Sequence, residues 1–279
     1  MRVTDTHAHI YSADEARYPM IAQPLRPPTG TGTIEHLQRE MAANGVQRVV
    51  AIHTSTAYRW DNHFLADSAA ANAPWMVGCC TLNPLDPASP AYLRQLARET
   101  NVRAMRSLPA EGAPRQRLDH PGGEALWRVA EDEGITINVL IHVDLADELE
   151  ALVRRHPQLP VVVDHCMYPK GRDGLAGETL QRMLALARYP NLHAKLTWLV
   201  ESSARPYPFE DTHSLLRAVV DAYGPARCIW GSDFPLQLWT PAATYAQHLE
   251  LFTQRLGLSA ADLEAILWTT PGRLYFGGV

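Results

Sequence analysis

The residue types best suited to chemistry are two histidines one residue apart, in Val3-Thr4-Asp5-Thr6-His7-Ala8-His9-Ile10, and an aspartate in Gly231-Ser232-Asp233. Alternate side chains of a strand share a face, so His7 and His9 can point at one ion or one reacting atom. Asp5 and the histidines would lie at the end of a first strand, and Asp233 at the end of a last one. A closed barrel sets those strands side by side. Imidazole nitrogens with a carboxylate suit a borderline divalent ion such as zinc, with an open position for water. His7, His9, His142 and Asp233 supply that donor set from strands one, five and eight. His165, on strand six, would stand over the open position and orient or deprotonate the water, and Asp233 is a second candidate base. A bound ion would bring the water's pKa to roughly 7.

The elements that must position these groups follow from the hydrophobic pattern. Strand-like runs are Val3–His9, Val46–His53, Trp75–Leu82, Val102–Leu108, Ile135–His142, Val161–His165, Leu192–Leu196 and Cys228–Gly231. Val161-Val162-Val163 and Val49-Val50-Ala51-Ile52 lack polar alternation, as strands covered on both faces do. Amphipathic helix patterns lie between them, among them Ile34–Asn44, Pro90–Glu99, Glu124–Glu133, Leu145–Arg155, Thr179–Ala187 and Ser214–Tyr223. Gly45, Gly134 and Gly224 each follow the last periodic residue of a helix. Eight strands alternating with helices predict a single α/β domain over 1–279, a (β/α)8 TIM barrel with its site at the C-terminal ends of the strands. A doubly wound open sheet is the alternative, but no GxGxxG turn follows the first strand. Long connections at Tyr11–Thr33, Pro109–Gly123 and Leu199–Asp211 mostly follow strands, where lids and substrate clamps are built.

Composition narrows the partners. At 279 residues and 46% hydrophobic content the chain can bury a large core, and its formal net charge of -5 gives no broad basic face for nucleic acid or anionic membrane. No apolar run approaches the ~20 residues needed to span a bilayer, and Met1-Arg2-Val3 runs straight into a strand pattern without a secretory core. None of the 4 cysteines shows CxxC spacing, so buried reduced thiols of a cytoplasmic protein are expected. A homo-oligomer stays open, with no interface signature in the pattern.

Polar residues recur at the predicted strand ends: His7, His9, His53, Arg106, His142, His165, Lys195 and Asp233. Any one alone reads as a satisfied core or loop residue. Seven strands carrying one at the same end read as a site. A guanidinium at a strand end grips two carboxylate oxygens at once, which makes Arg106 the candidate clamp for a substrate acid. Arg103, of the opposite parity, should face away. Lys195, one of only two lysines, would pair with Asp233, hold a substrate anion, or form an internal ion pair supporting the barrel. Trp198 and Trp239, after strands seven and eight, would wall a ring-shaped substrate or simply pack in their loops.

His7-Ala8-His9, Asp164-His165, Ala194-Lys195-Leu196 and Trp230-Gly231-Ser232-Asp233-Phe234-Pro235 together resemble the amidohydrolase superfamily. The likeness runs nearly end to end, through Leu267–Leu274, which is similar to the family's closing helix. It is nearer to the branch that holds lactonases and amidohydrolase-related decarboxylases. The resemblance implies a distorted (β/α)8 barrel, with His7, His9 and Asp233 as core site residues and His165 as the strand-six histidine. Members with two metals use a bridging lysine or glutamate on strand three or four. Neither segment has one here, so at most one divalent ion, zinc by donor type, is expected. Metal-free lactonases of the branch use the strand-eight aspartate to activate water. Its decarboxylases bind a metal through a strand-five histidine, the position of His142. His53–Asn62, with His53, Tyr58 and Asn62 as candidate substrate contacts, is similar to the lactonases' strand-two segment.

Two reactions follow. The first is hydrolysis of a small carboxylated lactone, metal-assisted or metal-free, by a water activated by Asp233 with Arg106 holding the acid. The alternative is decarboxylation of an aromatic or dienoic acid by a mononuclear metal. A non-catalytic barrel that only binds a small acid needs no water-activating base, which the intact Asp233 argues against.

Overall fold

In a computed structural model that describes residues 1–112, 115–197 and 199–278, eight parallel strands form one sheet in sequential order. They are β1 (Val3–His9), β2 (Val46–Ile52), β3 (Met76–Thr81), β4 (Val102–Ser107), β5 (Thr136–Val139), β6 (Val161–Val163), β7 (Leu192–Lys195) and β8 (Cys228–Ile229). The helices between them include α1 (Ile34–Asn44), α2 (His63–Ala71), α3 (Ser89–Glu99), α4 (Pro121–Glu133), α5 (Ala146–Arg155), α6 (Glu178–Leu186) and α7 (Glu210–Tyr223). β1 is buried along its whole length and β6 is three fully buried valines, which is why neither needs polar alternation. Caps set the helix ends: the Thr33 hydroxyl accepts from the His36 amide at the start of α1, and Gly45 ends it in the left-handed region at φ 68°.

The sheet closes on itself, so the architecture is the expected (β/α)8 barrel. β8 is too short to close it alone. The seam is made by residues beyond its end: the Thr6 amide donates to the Trp230 carbonyl (3.1 Å), the His9 amide to Phe234 (2.7 Å) and the Asp233 amide to His7 (2.9 Å). Gly231 is required there, because a Cβ would lie 2.6 Å from that of His7. The larger core packs strands against helices; a smaller one, with Val50, Ile52, Val77, Ala104, Val162 and Ile229, fills the barrel. Leu274 and Tyr275 of the closing helix join that inner core, and the Tyr275 hydroxyl bonds Asn138 at 3.0 Å. The mouth at the strands' C-terminal ends stays polar. No helix of the described residues is long and apolar enough to cross a membrane.

Behind β8, His248 is 1% exposed and neither ring nitrogen has a hydrogen-bond partner among the described residues. Burial pushes its pKa from 6.5 to about 4. Between those values the unfolded chain takes up the proton and the folded chain does not, so stability is full above pH ~6.5 and declines as pH falls toward ~4. His248→Phe should flatten the urea-midpoint profile over that window; an unaltered slope would show that His248 has no part in it.

Candidate active site

Asp233 stands in the left-handed region (φ 61°) on the turn that follows β8. Its Oδ1 lies 3.4 Å from Nε2 of His7 on β1. His165, immediately after β6, completes the group: one donor atom each from His7, His165 and Asp233 lie within 4.8 Å of one another, all buried. Thus groups from the first, sixth and last strands meet in one place. His9 is adjacent, its ring 5.1 Å from that of His7, but its Nδ1 is turned to the Ile52 carbonyl at 3.2 Å.

Burial sets the charge states. Desolvation lowers His7, His9 and His165, the last to about 3, so all three imidazoles are neutral at neutral pH. Desolvation, and then the field of Glu201, raises Asp233 well above the ordinary carboxylate range, which makes it a stronger base. Asp164 behaves oppositely. Burial alone would raise it, but Lys195 and Arg106 hold it at about 2. Its Oδ1 accepts from Lys195 Nζ (2.9 Å) and Asn138 Nδ2 (3.1 Å), and its Oδ2 from Arg106 Nε (2.9 Å).

The same cations orient the imidazoles. Lys195 Nζ, 3.3 Å from His7 Nδ1, donates to it, which places the ring proton on Nε2, facing Asp233. Arg106 Nη2 donates to His165 Nε2 at 3.4 Å, so Nδ1 carries the proton and donates to Thr197 Oγ1 at 2.7 Å.

The donor set fits one metal ion in type and spacing. His7 Nε2 is a buried nitrogen without a hydrogen-bond partner among the described residues, facing a carboxylate, with a third donor in reach. An ion there would replace the proton between His7 and Asp233. With Lys195 and Arg106 alongside, a second ion would have no compensating charge.

His165 is carried by an unusual piece of backbone. His165, Cys166, Met167 and Tyr168 have φ of 53°, 48°, 65° and 61°, a left-handed turn without glycine, closed by the Tyr168 amide on the His165 carbonyl at 2.7 Å. Each such residue costs roughly 1–2 kcal/mol. The turn puts the Tyr168 ring flat against His165, centroids 4.6 Å apart and planes 14° from parallel.

Several sequence expectations take a different place. His142 stands apart from that donor group: β5 ends at Val139, and the exposed His142 ring lies 5.4 Å from that of Tyr168. His165 takes its place in the donor group, and His9 stays outside it. Lys195 pairs with Asp164 rather than Asp233. Arg106 reaches the site but commits Nε and Nη2 to Asp164 and His165, leaving Nη1 without a hydrogen bond among the described residues. Arg103 turns outward to the Ala97, Thr100 and Val102 carbonyls. Three strand-two candidates are occupied structurally. The Tyr58 hydroxyl accepts from Ser12 N, the Asn62 amide spans Trp60 and Thr81, and His53 Nε2 bonds the Asp61 carbonyl at 2.8 Å. The Trp239 ring lies 5.3 Å from His9 and does wall the site, whereas Trp198 lies outside the described residues.

Asp164, Thr197 and Tyr168 were not singled out individually from the sequence. Asp164 could have been, since it is the acid next to a strand-end histidine. Tyr168 could not, because nothing in Cys166-Met167-Tyr168 signals a left-handed turn.

The chain belongs to the amidohydrolase family, whose model matches residues 4–277. It is 31% identical over 205 residues, 72% of this chain and 69% of the relative, to an L-fucono-1,5-lactonase of Burkholderia ambifaria. Among solved structures it resembles a Pseudomonas putida protein described as a candidate 2-pyrone-4,6-dicarboxylic acid hydrolase (TM-score 0.83, 22% identity, 98% and 97% of the two chains). It also resembles a Burkholderia multivorans amidohydrolase crystallised with bound zinc (TM-score 0.78, 23% identity, 99% of each chain).

Lys195→Met leaves Asp164 half-paired and His7 without its donor. A loss on the order of 3 kcal/mol in urea unfolding is expected; unchanged stability would show the ion pair contributes nothing net.

Proposed function

We propose that this chain hydrolyses the ester bond of a small carboxylated lactone. The observation that carries this reading is Asp233, a buried carboxylate raised above its ordinary range and 3.4 Å from a neutral imidazole, at the mouth of an amidohydrolase barrel. The likeness to an L-fucono-1,5-lactonase supports it.

Asp233 takes a proton from a water held among Asp233, His7 and His165, and the water oxygen attacks the ring carbonyl. As the tetrahedral centre collapses, the ring C–O bond breaks and Asp233 returns its proton to the leaving oxygen, which releases a hydroxy acid. Lys195 fixes the His7 tautomer and Arg106 that of His165, so neither ring must reorganise during the step. Arg106 Nη1 remains for the substrate's acid group. His7, His165 and Asp233 would hold one ion, zinc by donor chemistry, with His165 Nε2 giving up its 3.4 Å contact to Arg106; when bound the ion supplies Lewis acidity and a more acidic water. The decarboxylase alternative drew on His142 as a ligand, and that residue lies outside the donor group. Cys79, Cys80 and Cys228 are buried free thiols, which supports a reducing compartment such as the cytoplasm.

Incubation with lactone and hydroxybenzoate panels should give acid release from a lactone without CO2. Asp233→Asn, which tolerates the left-handed backbone, should lower kcat at least ~10²-fold with the fold retained. Elemental analysis should find no more than one ion per chain. CO2 release, or full activity in the variant, would overturn the reading.

A further inference from the structure

We propose that the Tyr168 hydroxyl is a further catalytic group, the donor that the lactone's carbonyl oxygen meets as it becomes an oxyanion. The inference rests on the lactone-hydrolase reading above. The Tyr168 ring stacks on His165, centroids 4.6 Å apart and planes 14° from parallel, and the His142 ring lies 5.4 Å away at a tilt of 33°. So held, it forms a rigid wall of a recess of about 600 Å³ that Met167, Lys170 and Glu201 also line. Four consecutive residues in a disfavoured backbone region keep it there, a device found where the position of a side chain matters to function.

The hydroxyl makes no hydrogen bond among the described residues. Of the buried tyrosines, Tyr58, Tyr223, Tyr245 and Tyr275 each have such a bond, and Tyr11 lacks one. Yet the Tyr168 phenol lies within the fields of Arg106, Glu201 and Asp233, the last being the group that activates the water.

Most neighbouring donors are already committed. Lys195 serves Asp164 and His7, Arg106 Nε and Nη2 serve Asp164 and His165, and the His165 proton goes to Thr197. The proton on His7 Nε2 faces Asp233. Two neighbouring donors besides Tyr168 are uncommitted: Arg106 Nη1, reserved above for the substrate's acid group, and Trp239 Nε1, which lies on the His9 side of the mouth; on the His165 side the uncommitted neutral donor is Tyr168. A phenol, with an ordinary pKa of about 10, keeps its proton at neutral pH. Fixed by stacking, it can point at the oxyanion without reorganising as charge develops.

Tyr168→Phe keeps the ring and its stack and removes only the hydroxyl. On a lactone that the wild-type chain hydrolyses, the variant should lose roughly 10²–10³-fold in kcat with KM little changed. Wild-type kcat, or a loss confined to KM, overturns the proposal. Binding separates this from the lactonase reading, using a cyclic phosphonate as tetrahedral anionic mimic and a lactam as planar mimic. The variant should bind the phosphonate at least ~10-fold more weakly and the lactam equally well. Equal phosphonate affinity overturns the proposal even if lactones are hydrolysed. A wild-type chain that hydrolyses no lactone overturns the lactonase reading and, with it, this role of Tyr168.

Discussion

The carboxylate of Asp5 is the constraint on which the rest of the site depends. It is fully buried beneath the mouth and accepts four hydrogen bonds. Oδ1 takes the amides of His7 (3.0 Å) and Ser232 (2.9 Å), and Oδ2 takes the hydroxyls of Ser232 (2.6 Å) and Tyr245 (2.8 Å). Burial raises its pKa, and those donors oppose the rise. One side chain of the first strand thus grips the turn after the last strand. Because β8 contributes only Cys228–Ile229 to the sheet, the grip substitutes for ladder bonds that a longer strand would make. It also fixes where Asp233 stands relative to His7.

A second buried acid, Asp164, organises the other half of the mouth. It pairs with both Lys195 and Arg106, and each cation hands a hydrogen bond on to an imidazole. Asn138 and Tyr275 extend the same network down through the barrel to the closing helix. An ion pair so deeply buried stabilises little against an apolar core of the same shape. Its effect lies in orientation. Asp5 fixes the backbone of the site and Asp164 its protonation pattern, and the strained turn after β6 adds a wall that neither carboxylate reaches.

Much of this was legible in the residues. β1 occupies the predicted Val3–His9 and α1 the predicted Ile34–Asn44, because valines, a Thr33 cap and Gly45 leave little choice there. The convergence of His7, His165 and Asp233 follows from strand order once the barrel closes. What was not legible is where strands stop. Leu140 and Ile141 continue the apolar run of β5, yet the sheet ends at Val139 and His142 swings out of the donor group. Val161–His165 likewise reads as one strand, whereas the left-handed turn begins at His165 without a glycine to announce it. Hydrophobicity reports burial, not hydrogen bonding, so it cannot separate the last rung of a ladder from a buried turn. Tyr58, Asn62 and His53 show the complementary limit: their types suit a ligand, but the Tyr58 hydroxyl bonds Ser12, the Asn62 amide bonds Trp60 and Thr81, and His53 Nε2 bonds Asp61.

The most direct test of the Asp5 latch is Ser232→Ala, which removes the hydroxyl bond to Asp5, a longer one to the His7 carbonyl and the one this hydroxyl accepts from the Phe234 amide. It touches neither Asp233 nor the imidazoles. Measured together, kcat on a lactone substrate should fall at least ~10-fold while the urea unfolding free energy changes by only about 1–2 kcal/mol. Wild-type kcat in a variant that has lost those bonds would contradict the claim that the Asp5 latch positions the catalytic aspartate.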